Sequence, residues 1–339
     1  MNEQRLAEHS RPCVLCTGTQ FRFLVTGYDR MQARDQDYDY VRCIACGLVG
    51  RRELPMPEEL PDLYPSDYTA RIETGRRNLD KTANRLAIRY LYGVDRISLS
   101  RLPRAVLRVF STRILNGLQE PHGANRLLDV GCGSGQSLEV YRALGWQASG
   151  IEVSPQACAA CRERGVPVHE GTVFDAPFAR GQFDVILLSH VIEHVLEPVA
   201  MLRRVAEFLA PNGKLVVTTP NVRGLGFSIY RACWFSLDAP RHLFLFDPQT
   251  IRRLAVSAGL RAVRVVTRSS PQVLRDSRHY ASTQGYRLPP GVAHRRALLA
   301  ESARRPKPPK AYRDLMSPLT YVASLFGRGD TLEADLRAR

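Results

Sequence analysis

Three groups of residues in this 339-residue chain have types and spacings suited to chemistry. The first is two C-x-x-C pairs, Cys13/Cys16 and Cys43/Cys46. Four thiolates so spaced suit tetrahedral zinc in a closed, structural site. The segments FRFLVTGY and YDYVR between them read as hairpin strands, so residues 1–50 read as a zinc-ribbon-like unit. The second group is LLDVGCGSG (127–135). Gly131, Gly133 and Gly135 allow a sharp turn and a close approach of ligand to backbone. Asp129 precedes the loop and can accept hydrogen bonds from a ligand or from loop amides. Glu152 ends the next β-rich run about 20 residues on, where a carboxylate can accept both hydroxyls of a ribose. A dinucleotide site shares these features. The third group is His190, Glu193 and His194 in HVIEH, with His242 in the later run PRHLFLF. In a helical turn His190 and His194 share a face. These side chains could hold a divalent metal such as Zn, Mn or Fe, act as a general base, or cap a helix and tie loops together.

The surrounding pattern supplies elements to position these groups. Short β-rich runs occur at 126–130, 147–153, 166–170, 183–189, 214–219 and 261–267, with helix signals between them. Ser154-Pro155, Glu197-Pro198 and Asp247-Pro248 each open a helix, and Gly259 closes the last. Strands alternating with helices predict an α/β, Rossmann-like, doubly wound and mainly parallel sheet. The final TLEADLRAR is expected as a last edge strand, the seventh. The expected organisation is a ribbon unit (1–50), a connector with a basic amphipathic helical lid (51–122), a core (123–270), and a basic Pro/Arg-rich insertion ending in the edge strand (271–339).

Charge sharpens this division. The net +15 is concentrated in two places. Residues 71–126 carry 12 basic and 4 acidic side chains, and residues 261–315 carry 13 and 3. Residues 127–260 carry 12 of each. A uniformly basic, chromatin-like protein is excluded. The Arg-rich segment 82–118 admits three readings: a lid with a solvated basic face, contact with an anionic membrane surface, or binding of phosphorylated or nucleic-acid acceptors. Residues 287–313 read as a flexible arm over the active site or as disorder. No stretch approaches ~20 apolar residues, and the N-terminus has no apolar signal core. A cytoplasmic protein is expected, peripheral at most to the inner face of the membrane, with its eight Cys as thiols or metal ligands. Cys158 and Cys161 lie inside a helix and are expected as small packing residues.

LLDVGCGSG, the acid Glu152, FDVILLSHVIEHV and LAPNGKLVVTTPN together resemble class I S-adenosylmethionine (SAM) methyltransferases. The branch resembled includes ubiquinone-pathway O-methyltransferases and many sugar and natural-product methyltransferases. The resemblance covers roughly residues 124–270, and some relatives carry an N-terminal C-x-x-C-G-L-V ribbon like that at Cys43–Val49. It implies that Gly131, Cys132, Gly133 and Gly135 cradle the amino-acid end of SAM with Asp129 beneath. It implies that Glu152 holds the ribose, that Val153 lies beside the adenine, and that Thr172 and Val173 flank it. Ser189 and His190 would end the strand where SAM and acceptor meet. In relatives an E-x-x-E-H run with a later His holds a divalent metal on the acceptor hydroxyl; here His190 replaces the first acid. The N/D-P-P-Y/F signature of base or glutamine amino methylation is absent. The function implied is methyl transfer to a small-molecule acceptor: O- or C-methylation of a sugar, quinone-type phenol or other secondary metabolite. RNA 2′-O-methylation through a His/Glu metal site, and a non-catalytic SAM-binding zinc scaffold, are the alternatives; nucleic acid is not the favoured partner.

Overall fold

A computed structural model describes residues 6–8, 11–64, 124–268, 270–305 and 309–339. The basic segment 82–118 lies outside the described residues, and so do the three readings of it.

The N-terminal strands are β1 (Leu6–Glu8), β2 (Gln20–Tyr28), β3 (Asp37–Cys43) and β4 (Val49–Arg51). The core strands are β5 (Arg126–Val130), β6 (Gln147–Glu152), β7 (Val168–Glu170), β8 (Phe183–Ser189) and β9 (Leu209–Pro220). β10 (Phe244–Leu245), β11 (Leu260–Arg268) and β12 (Thr331–Ala338) follow. Seven strands form one sheet in the order β11-β12-β9-β8-β5-β6-β7. The β5–β6 and β6–β7 pairs are parallel, and β11–β12 is antiparallel. The expected α/β sheet of seven strands is therefore present.

The helices start where local chemistry tells them to. α1 (Gln136–Ala143) follows the glycine loop. α2 (Pro155–Glu163) is capped by the Ser154 hydroxyl, which accepts the Ala157 N–H, and has Pro at its first position. α3 (Pro198–Glu207) buries Leu202 and Val205 on one face. α4 (Leu225–Tyr230) precedes α5 (Pro248–Ser257). Asp247 caps α5 by accepting the Gln249 and Thr250 amides, and the Thr250 hydroxyl bonds back to the Asp247 backbone.

Two expectations are corrected. TLEADLRAR is not an edge strand: β12 lies between β11 and β9, and β11 takes the edge. Leu332, Ala334 and Leu336 are fully buried, as a strand paired on both sides requires. The described part of residues 287–313 is also not a disordered arm. After α6 (Pro271–Thr283), α7 (Val292–Arg304) and the start of α8 (Lys310–Leu325) lie in it. The prolines bracket α7 without entering it, and its Ala, Arg, Leu and Glu residues are strong helix formers. Arg295 fixes α7 to the β2–β3 hairpin, donating to the Asp37 carboxylate (2.7 Å) and the Gln36 carbonyl (3.1 Å).

The chain divides into two compact units that do not follow the expected linear boundaries. One comprises Met1–Pro65, Leu188–Arg203 and Val216–Arg339; the other comprises Ser66–Leu187 and Arg204–Leu215. In the first, an antiparallel five-stranded sheet runs β1-β2-β3-β4-β10. Its last strand comes from the PRHLFLF run: Phe244 pairs with Gly50 and Leu245 with Val49. The ribbon of residues 1–50 is thus not self-contained. Tyr40, Val49, Trp234, Leu237 and Leu245 share its core. In the second unit the glycine loop is closed beneath by Cys132 and Cys161, both buried. No helix among the described residues is long and apolar enough to cross a membrane.

Candidate functional site

The four N-terminal cysteines converge. Cys13 and Cys46 sulfurs lie 3.5 Å apart, as do those of Cys16 and Cys43. All four fall within 4.8 Å of one another. Sulfurs bound at ~2.3 Å around one tetrahedral zinc would stand about 3.8 Å apart, so the donor set fits. Each pair sits on a tight turn: the Thr17 amide donates to Cys13 C=O, and the Gly47 amide to Cys43 C=O. Gly47 has φ +83°, a conformation that glycine adopts without strain. The Leu48 amide points at the Cys46 sulfur at 3.5 Å. A hydrogen bond from Cys46, working against burial, lowers the Cys13 thiol to about 5 and favours a thiolate.

The glycine loop belongs to the second unit. Gly131, Gly133 and Gly135 all have positive φ, at 72°, 57° and 77°. Asp129 is buried at the end of β5. The Glu152 carboxylate ties the crossover together: one oxygen accepts the Gly133 amide and the other accepts the Val153 and Ser154 amides, each at 2.9 Å. Cys132 packs against β6 so closely that a Cβ on Gly150 would lie 2.4 Å from its sulfur. A hydrogen bond to Cys161, then burial, push the Cys132 thiol far up, so it stays protonated. Cys158 and Cys161 are fully buried packing residues, as their helical placement predicts. Val153 is exposed. Thr172 is bound by its amide and hydroxyl to Asp175. Val173 is turned into the core, and neighbouring Phe174 is the side chain exposed at that turn. Asp175 falls to about 2 because it accepts these Thr172 bonds.

The third group lies within the first unit. Ser189 ends β8, and His190 follows it with φ +57°, rare for a residue with a side chain. The His190 amide donates to Thr218 C=O at 2.8 Å, which holds this turn against β9. Glu193 is fully buried. One of its oxygens faces His190 Nδ1 at 3.1 Å, and the other accepts the Thr219 hydroxyl at 3.0 Å. Burial would raise this carboxyl, but the hydrogen bond to His190 and the three imidazoles around it hold it at about 2.

The tautomers follow from the acceptors. A carbonyl oxygen can only accept, so the nitrogen facing it carries the proton. His194 Nδ1 faces the Arg241 carbonyl at 3.1 Å and the Tyr64 hydroxyl at 3.0 Å. His242 Nδ1 faces the Ser236 carbonyl at 2.9 Å. Both rings are anchored through Nδ1–H, which leaves Nε2 with its lone pair. The rings meet edge to face at 4.6 Å. Glu193, His194 and His242 bring ligand atoms within 4.8 Å of one another. Burial, then the neighbouring His242, lower His194 to about 4, so it is neutral at neutral pH. Two Nδ1-anchored imidazoles beside an ionised carboxylate are a ligand-ready set. His190 stands apart from this set and interacts with it through Glu193.

Sequence reasoning missed the residues that hold the cluster. Arg241 is fully buried, paired with Asp238 at 2.7 Å and Asp29 at 3.4 Å. The Tyr40 hydroxyl and the Arg51 guanidinium bind the carbonyls of His242 and Pro240. The only trace of this support in the sequence is the unusual PRH triplet itself.

With this geometry in view, comparison places the chain among known proteins. Residues 95–265 match the model of a methyltransferase domain family, about half of the chain. A ubiquinone biosynthesis O-methyltransferase from Bradyrhizobium diazoefficiens is 32% identical over 146 residues, covering 41% of this chain and 56% of that protein. The namesake protein from Xanthomonas axonopodis pv. citri is 38% identical over 117 residues, covering 32% and 48%. The chain spans about half the length of these curated relatives. The glycine loop, the acid closing β6 and the matched half of the sequence agree: this chain belongs to the methyltransferase domain family of class I SAM methyltransferases.

Proposed function

We propose that the chain transfers a methyl group from SAM to a small-molecule acceptor that must lose a proton, such as a sugar or quinone-type hydroxyl or an acidic carbon. The single observation that carries this reading is the His190–Glu193 pair. A buried, ionised carboxylate faces His190 Nδ1 at 3.1 Å. It orients the ring and favours the proton on Nδ1, leaving Nε2 as a base. When bound, SAM supplies an electrophilic methyl on its sulfonium sulfur. Gly131, Gly133 and Gly135 offer it backbone, and Glu152 offers its ribose a carboxylate. His190 Nε2 would take the acceptor proton as the acceptor bonds to the methyl and the methyl–sulfonium bond breaks, with neutral S-adenosylhomocysteine as leaving group, and Glu193 would stabilise the resulting imidazolium.

A second reading rests on the two Nδ1-anchored rings. In it Glu193, His194 and His242 hold a divalent ion suited to N/O ligands, which would polarise the acceptor oxygen. The four N-terminal cysteines hold a structural zinc in both readings.

The test is transfer of tritiated methyl from SAM into fractionated cell extract. The wild-type chain is expected to label a small-molecule fraction, and Glu152→Ala to abolish both labelling and SAM binding in calorimetry. Unchanged SAM affinity in Glu152→Ala would overturn the cofactor assignment. Loss of transfer in chelator with recovery on added Mn would favour the metal reading, and full transfer in chelator would remove it.

A further inference from the structure

α8 turns its large apolar side chains away from the protein. Leu315, Leu319 and Val322 fall on one line of the helix at spacings of four and three residues, and Phe326 at its C-cap continues that line. All four are exposed, Leu315 by 75% and Phe326 by 79%, and neighbouring Leu325 is exposed as well. The inward side is largely small or polar. Among the described side chains of α8 only Thr320 is buried, while Met316, Ser317, Ala323 and Ser324 are partly buried. The Thr320 hydroxyl donates to Ser317 C=O at 3.0 Å, and the Thr267 hydroxyl of β11 donates to Ser324 C=O at 2.9 Å. Nearer the start of the helix, the Tyr312 and Tyr230 hydroxyls meet at 3.2 Å, and the Arg278 guanidinium of α6 lies 4.6 Å over the Tyr312 ring. These contacts hold α8 in place and leave its apolar line uncovered. A surface helix ordinarily turns that stripe to the core, and a contiguous apolar face turned outward marks an interaction surface.

Charge selects what covers it. Residues 302–328, which run through the helix, carry six basic side chains and one acidic one. Arg304 before the helix and Arg328 after it are exposed. A second copy would set the same basic excess against itself. Residues 82–118 of this chain, with seven basic side chains and one acidic, would be repelled in the same way. A bilayer with anionic headgroups is attracted by the basic flanks and takes up the apolar line. At 16 residues α8 is shorter than the ~20 needed to cross a bilayer, so it suits lying along the interface.

We propose that α8 is a membrane-surface anchor. Leu315, Leu319, Val322, Leu325 and Phe326 enter the boundary between headgroups and acyl chains of an anionic bilayer, and the flanking basic residues face its phosphates. The inference does not depend on the methyl-transfer reading. It places the membrane contact on a helix outside the matched residues 95–265.

The full chain is sedimented with vesicles of phosphatidylcholine alone and with vesicles that also contain phosphatidylglycerol. Binding to the anionic vesicles is expected to be at least ten-fold tighter and to weaken as salt is raised. The double variant L319S/F326S changes two exposed side chains, so its melting temperature and SAM affinity are expected to match the wild type while vesicle binding falls at least ten-fold. Analytical ultracentrifugation without lipid is expected to give the same mass for both proteins. Failure of the wild type to bind anionic vesicles overturns the inference, and so does wild-type binding by L319S/F326S, which would move the contact to another part of the chain. A wild-type dimer that L319S/F326S dissociates would overturn it in favour of a second copy on this face.

Discussion

The Tyr40 hydroxyl donates a 2.7 Å hydrogen bond to the backbone carbonyl of His242. Tyr40 lies on β3, in the ribbon that carries the four-cysteine cluster, and His242 belongs to the Glu193 cluster. Two residues further on, β10 joins the same sheet by pairing with β4. The strand that carries Tyr40 in the cysteine unit is therefore part of the support of an imidazole in the Glu193 cluster.

Replacing Tyr40 by Phe leaves that carbonyl buried without its donor. A cost of about 1–3 kcal/mol in stability is expected. Methyl transfer should fall more than SAM affinity, because the glycine loop does not involve Tyr40. Urea unfolding, calorimetry and the tritium assay on one preparation separate these effects.

Metal analysis of the purified chain should find zinc at one per Cys13/Cys16/Cys43/Cys46 cluster. Cys43→Ser should lose it and lower the melting temperature, since the ribbon has few other means of closing its two knuckles. Transfer should fall with zinc content while SAM still binds. Full zinc occupancy in Cys43→Ser would contradict the assignment.

Arg241→Leu should be among the most destabilising single changes, at about 3–5 kcal/mol, because it removes the buried cation paired with the buried Asp29 and the half-buried Asp238 carboxylates. Adding Asp238→Asn should recover part of the loss, as a double-mutant cycle would show.

The cluster also predicts an acid limit. His194 is lowered from 6.5 to about 4 on folding, so the unfolded chain binds the extra proton between those values. Its contribution is full above pH 6.5 and is lost as pH falls toward 4. Glu193, held at about 2 against an ordinary 4.5, extends the loss below pH 4.5. Urea midpoints should drop from pH 7 to pH 4.5, and His194→Gln should flatten the upper part of that decline.

Much of this was legible in the residues because local chemistry and tertiary structure agree. Ser154, Asp247 and the glycines at 131, 133 and 135 act through their immediate neighbours, so their roles can be read from spacing. β12 was harder: TLEADLRAR carries charges at alternate positions like an edge, yet Glu333 is buried because Arg264 and Arg268 neutralise it across β11. α7 was hidden by the prolines around it. The supports of the cluster, Tyr40, Tyr64, Asp238 and Arg241, lie up to 202 positions from their partners, and no periodicity reports such pairings.

The central claim is that His190, oriented by Glu193, is the base for methyl transfer. Tritium transfer and SAM calorimetry on His190→Gln test it most directly. The account predicts at least a 100-fold loss of transfer, in line with ~10²–10⁴ for a general base, with SAM affinity unchanged. Wild-type transfer by folded, SAM-binding His190→Gln would contradict it.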